Sequence, residues 1–174
     1  MRTRTPYCAP QPALIQGSLN KGPALHANIL LGQGTIDDVS LAFSKNNLSY
    51  TITSFHDQPE LINATIDWLS SYTNKAPNPL TLPLRLDHAT LFTKQALDAL
   101  TKVPFGKTAS YKDIAIAIKN EKATRAVGSV CHHNPFPLFI PCHRIVSSQG
   151  LGGFAYPMEM KKMLLNFESF ASSA

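Results

Sequence analysis

The sequence predicts an α/β protein in two parts: a small antiparallel β-sheet with helices, then a mostly helical region. Three observations carry this. Residues 48–55 alternate apolar and polar side chains, the period of a strand with one wet face. A helix-start signal at Asp57 then opens a pattern with helical spacing. Beyond the three prolines of 76–83 the helical spacing recurs almost to the end, which sets the parts at 1–83 and 84–174.

In the first part, Leu48, Tyr50 and Ile52 alternate with Ser49, Thr51 and Thr53. Residues 39–43 are apolar enough to pair with them. Lys45-Asn46-Asn47 tolerates a tight turn, so a hairpin is expected. Asp57, with Glu60 three residues on, reads as the cap of a helix that buries Leu61, Thr65, Trp68, Leu69 and Tyr72. Residues 76–83 read as an extended linker.

In the second part, Phe92, Ala96, Leu97 and Leu100 form one helical stripe that ends before Pro104-Phe105-Gly106. Ser110 followed by Asp113 is a capping-box signature for a helix turning Ile114, Ala117 and Ile118 inward. After a break at 120–122, a second short helix over 123–131 buries Val127 and Val130. Two short helices in a basic region resemble a helix-turn-helix, and such pairs also serve as plain packing units. A last helix over 158–170 is apolar at Met160, Met163, Leu164 and Phe167.

The net charge of +5 is uneven, with six Lys/Arg against five Asp/Glu up to Leu86 and ten against six beyond it. The basic half suits a polyanion, although a solvated lysine face has the same composition. No apolar run reaches the length of a membrane span, and residues 1–12 hold no secretion core, so a soluble, cytoplasmic chain is expected. Cys8, Cys131 and Cys142 are odd in number and far apart, which argues against a disulfide framework.

The segment Ile140-Pro141-Cys142-His143-Arg144-Ile145-Val146 carries the chemistry. A cysteine is a strong nucleophile once its thiolate is favoured, and a nearby imidazole can favour it. Cys142 is the candidate nucleophile, and a buried cysteine packed as a small hydrophobe is the alternative. In extended structure Cys142 and His143 point to opposite faces, so contact needs a turn or a bridging water. Glu168, one turn beyond Leu164, lies at the edge of the buried face of the last helix. It either finds a partner there or reaches water at the helix end.

Further motifs follow one order across the second half: Val103-Pro104-Phe105-Gly106, Ser110-Tyr111, Thr124-Arg125-Ala126-Val127-Gly128, Asn134-Pro135, the cysteine segment and Leu164-Leu165-Asn166-Phe167-Glu168. Together these resemble the O6-alkylguanine-DNA alkyltransferases. The resemblance implies a ribonuclease H-like first part and a winged-helix-like second part. It implies that Cys142 takes the alkyl group from guanine O6 while His143 acts on the thiol through a bound water and Glu168 orients the imidazole. Tyr111 would supply the proton or hydrogen bond that the leaving guanine needs, and Asn134 would brace the turn carrying the cysteine.

The same resemblance makes Arg125 the finger that fills the gap of a flipped nucleotide. Ala126, Gly128 and their small neighbours Ala123 and Ser129 would let that helix press into the minor groove. Thr93, Tyr111 and Ser148 would add DNA contacts. The implied partner is double-stranded DNA containing O6-alkylguanine, met by a monomer that needs no cofactor or metal for the chemistry. The thioether formed on Cys142 has no ready leaving group, so each molecule would react once.

The loop Gly150-Leu151-Gly152-Gly153-Phe154-Ala155-Tyr156-Pro157 departs from the family wording. Ala155 and Tyr156 stand where many members have a serine and glycines, with one residue fewer. A non-enzymatic alkylated-DNA recognition protein is the rival reading, although such relatives lack the motif cysteine. A zinc module of Cys131, His132, His133, Cys142 and His143 fits no common finger spacing. A zinc ligand role for Cys8 and His26 is too thinly signalled to predict.

Overall fold

A computed structural model describes residues 11–169. Strands β1 (Ala13–Ser18), β2 (Leu25–Leu31), β3 (Ile36–Phe43) and β4 (Ser49–Ser54) form one sheet in the order β1-β4-β2-β3. β1 pairs with β4 and β2 with β3 antiparallel, whereas β2 and β4 run parallel. The sheet is therefore mixed, which corrects the antiparallel expectation. The expected hairpin between 39–43 and 48–55 is absent as well, because β2 lies between β3 and β4. Residues 44–48 step across the start of β2 instead, and Leu48 is buried there. Such a step spans two strand spacings of about 4.8 Å each, within the reach of five residues. Asn46 and Asn47 do not take the left-handed backbone of a tight hairpin turn.

Alternation along β2 and β4 makes one face of the sheet the core. β2 buries Leu25, Ala27, Ile29 and Leu31, and β4 buries Tyr50 and Ile52 while Ser49, Thr51 and Thr53 stay half-buried. Each fully buried Leu or Ile side chain contributes about 1.5–3 kcal/mol. Helix α1 (Pro59–Thr73) adds Thr65, Trp68, Leu69 and Tyr72 to the core. Its cap is Gln58, not Asp57, because Pro59 occupies the first helical position, where its missing N–H costs nothing. The Gln58 side chain instead clamps the β2–β3 turn, accepting from Gly34 N at 3.0 Å and donating to Gly32 O at 2.8 Å.

The stretch 76–83 forms no helix or strand and lies on the body of the protein, with Leu82 buried and Asn78 O accepting from Trp68 Nε1 at 3.1 Å. Helix α2 (Leu91–Thr101) buries Ala96, Leu97, Ala99 and Leu100, and Thr90 caps it through Thr93 N. Two-residue β5 (Ala109–Ser110) leads into α3 (Tyr111–Ala117), whose Ser110–Asp113 capping box is complete. α3 buries Ile114 and Ala115 and leaves Ala117 exposed, a correction of the expected face: the helix ends there and Lys119 turns left-handed at φ 57°. Helix α4 (Thr124–His132) buries Val127, Val130 and Cys131. β6 (Ile145–Val146) pairs in parallel with β5, which sets the N-terminus of α3 beside the cysteine segment. Helix α5 (Met158–Ser169) closes the described chain, and its buried residues are Met160, Lys161, Leu164 and Glu168. No helix among the described residues is long and apolar enough to cross a membrane.

Candidate active site

Cys142, His143 and Arg144 form a single 3₁₀ turn, and all three side chains are buried. Asn134 holds this turn from behind. Its Nδ2 donates to Ile140 O at 2.9 Å and to Cys142 Sγ at 3.2 Å, while its Oδ1 accepts from Phe136 N at 3.0 Å. A side-chain amide suits the place because it donates and accepts at once. β3 anchors the same turn through Val39 N to Pro135 O at 2.9 Å.

Glu168 reaches in from α5 and is 1% exposed. Its Oε1 accepts from Tyr72 OH at 2.9 Å, His143 Nε2 at 2.7 Å and Arg144 Nη2 at 3.1 Å. Its Oε2 accepts from Arg144 Nε at 2.8 Å and Gly106 N at 3.2 Å. Burial pushes the carboxyl upward, but the bonds and charges of His143 and Arg144 outweigh it and hold the group at about 2. Burial dominates at His143, which is held below its ordinary value and is neutral at pH 7. The counter-ion of Glu168 is therefore Arg144, whose guanidinium also donates to Val103 O at 2.8 Å and lies over the Phe105 ring.

An ionised Glu168 can only accept, so Nε2 of the neutral imidazole carries the proton and Nδ1 presents a lone pair. His143 Nδ1 is the single buried side-chain nitrogen or oxygen without a hydrogen-bond partner among the described residues. Burial raises the Cys142 thiol above its ordinary value, opposed by the Asn134 bond and the Lys161 charge. The resting site thus pairs a neutral thiol with an imidazole that has an uncommitted basic nitrogen. Proton transfer from the thiol to such a nitrogen would create a thiolate, with the imidazolium stabilised by Glu168.

Tyr111 opens α3 and is half-buried, and its hydroxyl donates to Gly153 O at 3.1 Å. Lys161 Nζ donates to the same carbonyl at 3.0 Å and to Ile145 O at 2.6 Å. Gly152 has φ +69°, and a Cβ there would come within 2.8 Å of the Tyr111 ring. Gly128 on α4 faces that ring, whereas Arg125 and Ala126 on the same helix are exposed. Thr93 lies in the first turn of α2 with its hydroxyl bonded to Thr90, and Ser148 is exposed in the turn after β6. Asn134 with Cys142, and His143 with Glu168, are thus two bonded pairs that meet at the 142–144 turn; Tyr111 and Lys161 share the Gly153 carbonyl, Gly128 faces the Tyr111 ring, Thr93 is half-buried, and Arg125, Ala126 and Ser148 are exposed. Ala155 is exposed and Tyr156 half-buried.

The five-residue zinc alternative is not assembled, since the described residues contain no group of three or more metal-ligating side chains. Cys8 lies outside the described residues, and His26 bonds Ser49 Oγ at 2.8 Å and Thr51 Oγ1 at 3.2 Å. Sequence reasoning missed Arg144 as the counter-ion, Tyr72 as a donor to Glu168, and Lys161. A signal for Lys161 existed: it lies seven residues before Glu168, two helical turns along the same face.

Residues 91–170 match the profile of the 6-O-methylguanine DNA methyltransferase DNA-binding domain. The chain is 36% identical over 118 residues to the constitutive methylated-DNA–protein-cysteine methyltransferase of Bacillus subtilis, covering 67% of this chain and 70% of that one. It is 48% identical over 77 residues to the Methanocaldococcus vulcanius methylated-DNA–protein-cysteine methyltransferase, covering 44% of this chain and 47% of that one. This chain spans about half the length of the first curated relatives it matches, 53% and 47%. Among solved structures, a Mycobacterium tuberculosis OGT in complex with DNA superimposes with a TM-score of 0.65 at 25% identity, over 83% of this chain and 93% of that one. The Pyrococcus kodakaraensis O6-methylguanine-DNA methyltransferase shares the fold, with a TM-score of 0.56 at 23% identity over 83% of this chain and 98% of that one. A relative 36% identical over two thirds of each chain, with the shared fold and a buried Cys142 beside a His143 bonded to Glu168, places the chain in the methylated-DNA–protein-cysteine methyltransferase family.

Proposed function

We propose that this protein repairs O6-alkylguanine in double-stranded DNA by moving the alkyl group irreversibly to Cys142. The observation that carries the reading is the buried, unpartnered Nδ1 of His143, the residue next to Cys142, on a ring held through Nε2 by Glu168. A nitrogen so placed is ready to take the thiol proton, through one water if a bridge is needed. The Cys142 Sγ–C bond then forms as the C–O6 bond breaks, and the electron pair passes to guanine O6. The thiol proton rests on His143, and guanine gains its own from Tyr111.

Tyr111 has one hydroxyl proton, now given to Gly153 O. Donation to a base therefore requires exchanging that bond, and Lys161 can keep the carbonyl satisfied meanwhile. The thiol lies 3% exposed, so the damaged nucleotide must leave the stack to meet it. The exposed Arg125 on α4 is suited to fill the gap, with Ala126 and Gly128 allowing close approach to the minor groove. Thr93 at the start of α2 and exposed Ser148 extend the same contact surface. This reading keeps a ribonuclease H-like support part over 1–83, a winged-helix-like DNA-binding part over 84–174, a monomeric state and chemistry without a cofactor.

The test is chromatographic analysis of the bases after duplex DNA bearing O6-methylguanine meets the protein. Restored guanine with wild type and none with Cys142→Ala supports transfer. Selective binding without restored guanine would support the recognition-protein alternative instead, which the presence of Cys142 disfavours.

A further inference from the structure

We infer that Tyr72 is a positioning residue of this reaction, the side chain through which the sheet-bearing first half of the protein sets the basicity of His143. Tyr72 lies on α1, is 0% exposed, and donates its hydroxyl to the Glu168 oxygen that also accepts from His143. Its ring cannot swing away. Trp68 stacks on it at 5.7 Å, and the Phe105 and Phe167 rings lie 5.5 and 5.6 Å off.

Burial and the adjacent carboxylate push the hydroxyl well above its ordinary value, so it remains a donor throughout the working range. Each donor on Glu168 Oε1 draws off negative charge, and a less charged oxygen holds the His143 Nε2 proton less strongly. The groups facing the imidazole are Glu168 and Lys161 from α5, Arg144 from its own turn, and Tyr72 through Glu168. Removing the Tyr72 donor leaves Glu168 a stronger acceptor, better stabilises the imidazolium and makes His143 easier to protonate. The site then holds a proton it must shed before it can accept one from Cys142. This step rests on the reading of His143 as the proton acceptor.

The experiment uses the full chain with Tyr72→Phe, and a second form with 3-fluorotyrosine at position 72, a stronger donor that keeps the bond. His143 protonation is followed by ¹⁵N NMR across pH, beside the rate of methyl transfer from an O6-methylguanine duplex. The His143 midpoint rises in Tyr72→Phe and falls with fluorotyrosine. On the acid side of the wild-type rate profile the Phe variant is about three- to tenfold slower, since each pH unit is tenfold in protonation. Unchanged His143 midpoints in both forms, even with a lower unfolding temperature, would overturn the inference and leave Tyr72 as packing alone. Shifted midpoints in a protein that transfers no methyl group would support the coupling and overturn the alkyl-transfer reading.

Discussion

Replacing Glu168 by glutamine keeps the side-chain shape and removes the charge on which five hydrogen bonds converge. The amide nitrogen that takes the place of one oxygen is itself a donor, and it meets either the His143 and Tyr72 donors or the Arg144 guanidinium. With His143 neutral, Arg144 is left as a buried cation without a counter-ion. Removing one partner of a buried pair costs about 3–5 kcal/mol. Proton linkage has the same sign: a carboxyl held below its ordinary 4.5 stabilises the folded chain near neutrality. For a chain of this size 1 kcal/mol moves Tm by about 2–4 °C, so Glu168→Gln should unfold about 6–20 °C lower at pH 7.

The sign with pH follows from the depressed carboxyl. Its stabilisation is complete above the unfolded value of 4.5 and is lost as pH falls through the folded value of about 2. His143 acts in the same direction, because below its unfolded value of 6.5 the unfolded chain takes up a proton that the buried imidazole resists. The carboxylate contribution exists only in wild type. Thermal unfolding followed by circular dichroism from neutrality to strong acid should therefore show the two proteins converging only as pH drops below about 4.5. Between 6.5 and that point the variant loses more, because without the Glu168 charge His143 is harder still to protonate. A variant within about 1 kcal/mol of wild type at pH 7, or a gap that does not change with pH, would refute the assignment of Glu168 as the buried, Arg144-paired carboxylate.

Asn134→Ala removes the bonds to Ile140 O, Cys142 Sγ and Phe136 N, so stability should fall by about 1–3 kcal/mol in urea unfolding. It should also slow Cys142 alkylation by iodoacetamide, because the Asn134 bond favours the thiolate. Lys161→Met takes away a charge that favours the Cys142 thiolate and should move the pH profile of that alkylation upward; an unchanged profile would show that the lysine serves only the Ile145 and Gly153 carbonyls.

Much of the fold was legible wherever the pattern is local. The alternation of β4, the Ser110–Asp113 capping box and the stripe of α2 depend on neighbours in sequence and came out as read. Strand partnership is not local: the periods of β3 and β4 show which side chains face inward, but nothing in them says that β2 lies between. Gln58 and not Asp57 caps α1 because Pro59, with its fixed φ and missing N–H, takes the first helical position. At the site, the need of Glu168 for a partner was readable from its place on α5, and the structure supplies His143 and Arg144. Tyr72 was readable only as a core aromatic, since its hydroxyl meets Glu168 across 96 residues of chain.

Intact-mass analysis after mixing the protein with an excess of O6-methylguanine duplex tests the central claim most directly. The account predicts one added methyl group per molecule, mapping to Cys142, with no further turnover and no gain in Cys142→Ala. An unmodified mass on a protein that still binds the damaged duplex, or a methyl group on any other residue, would contradict it.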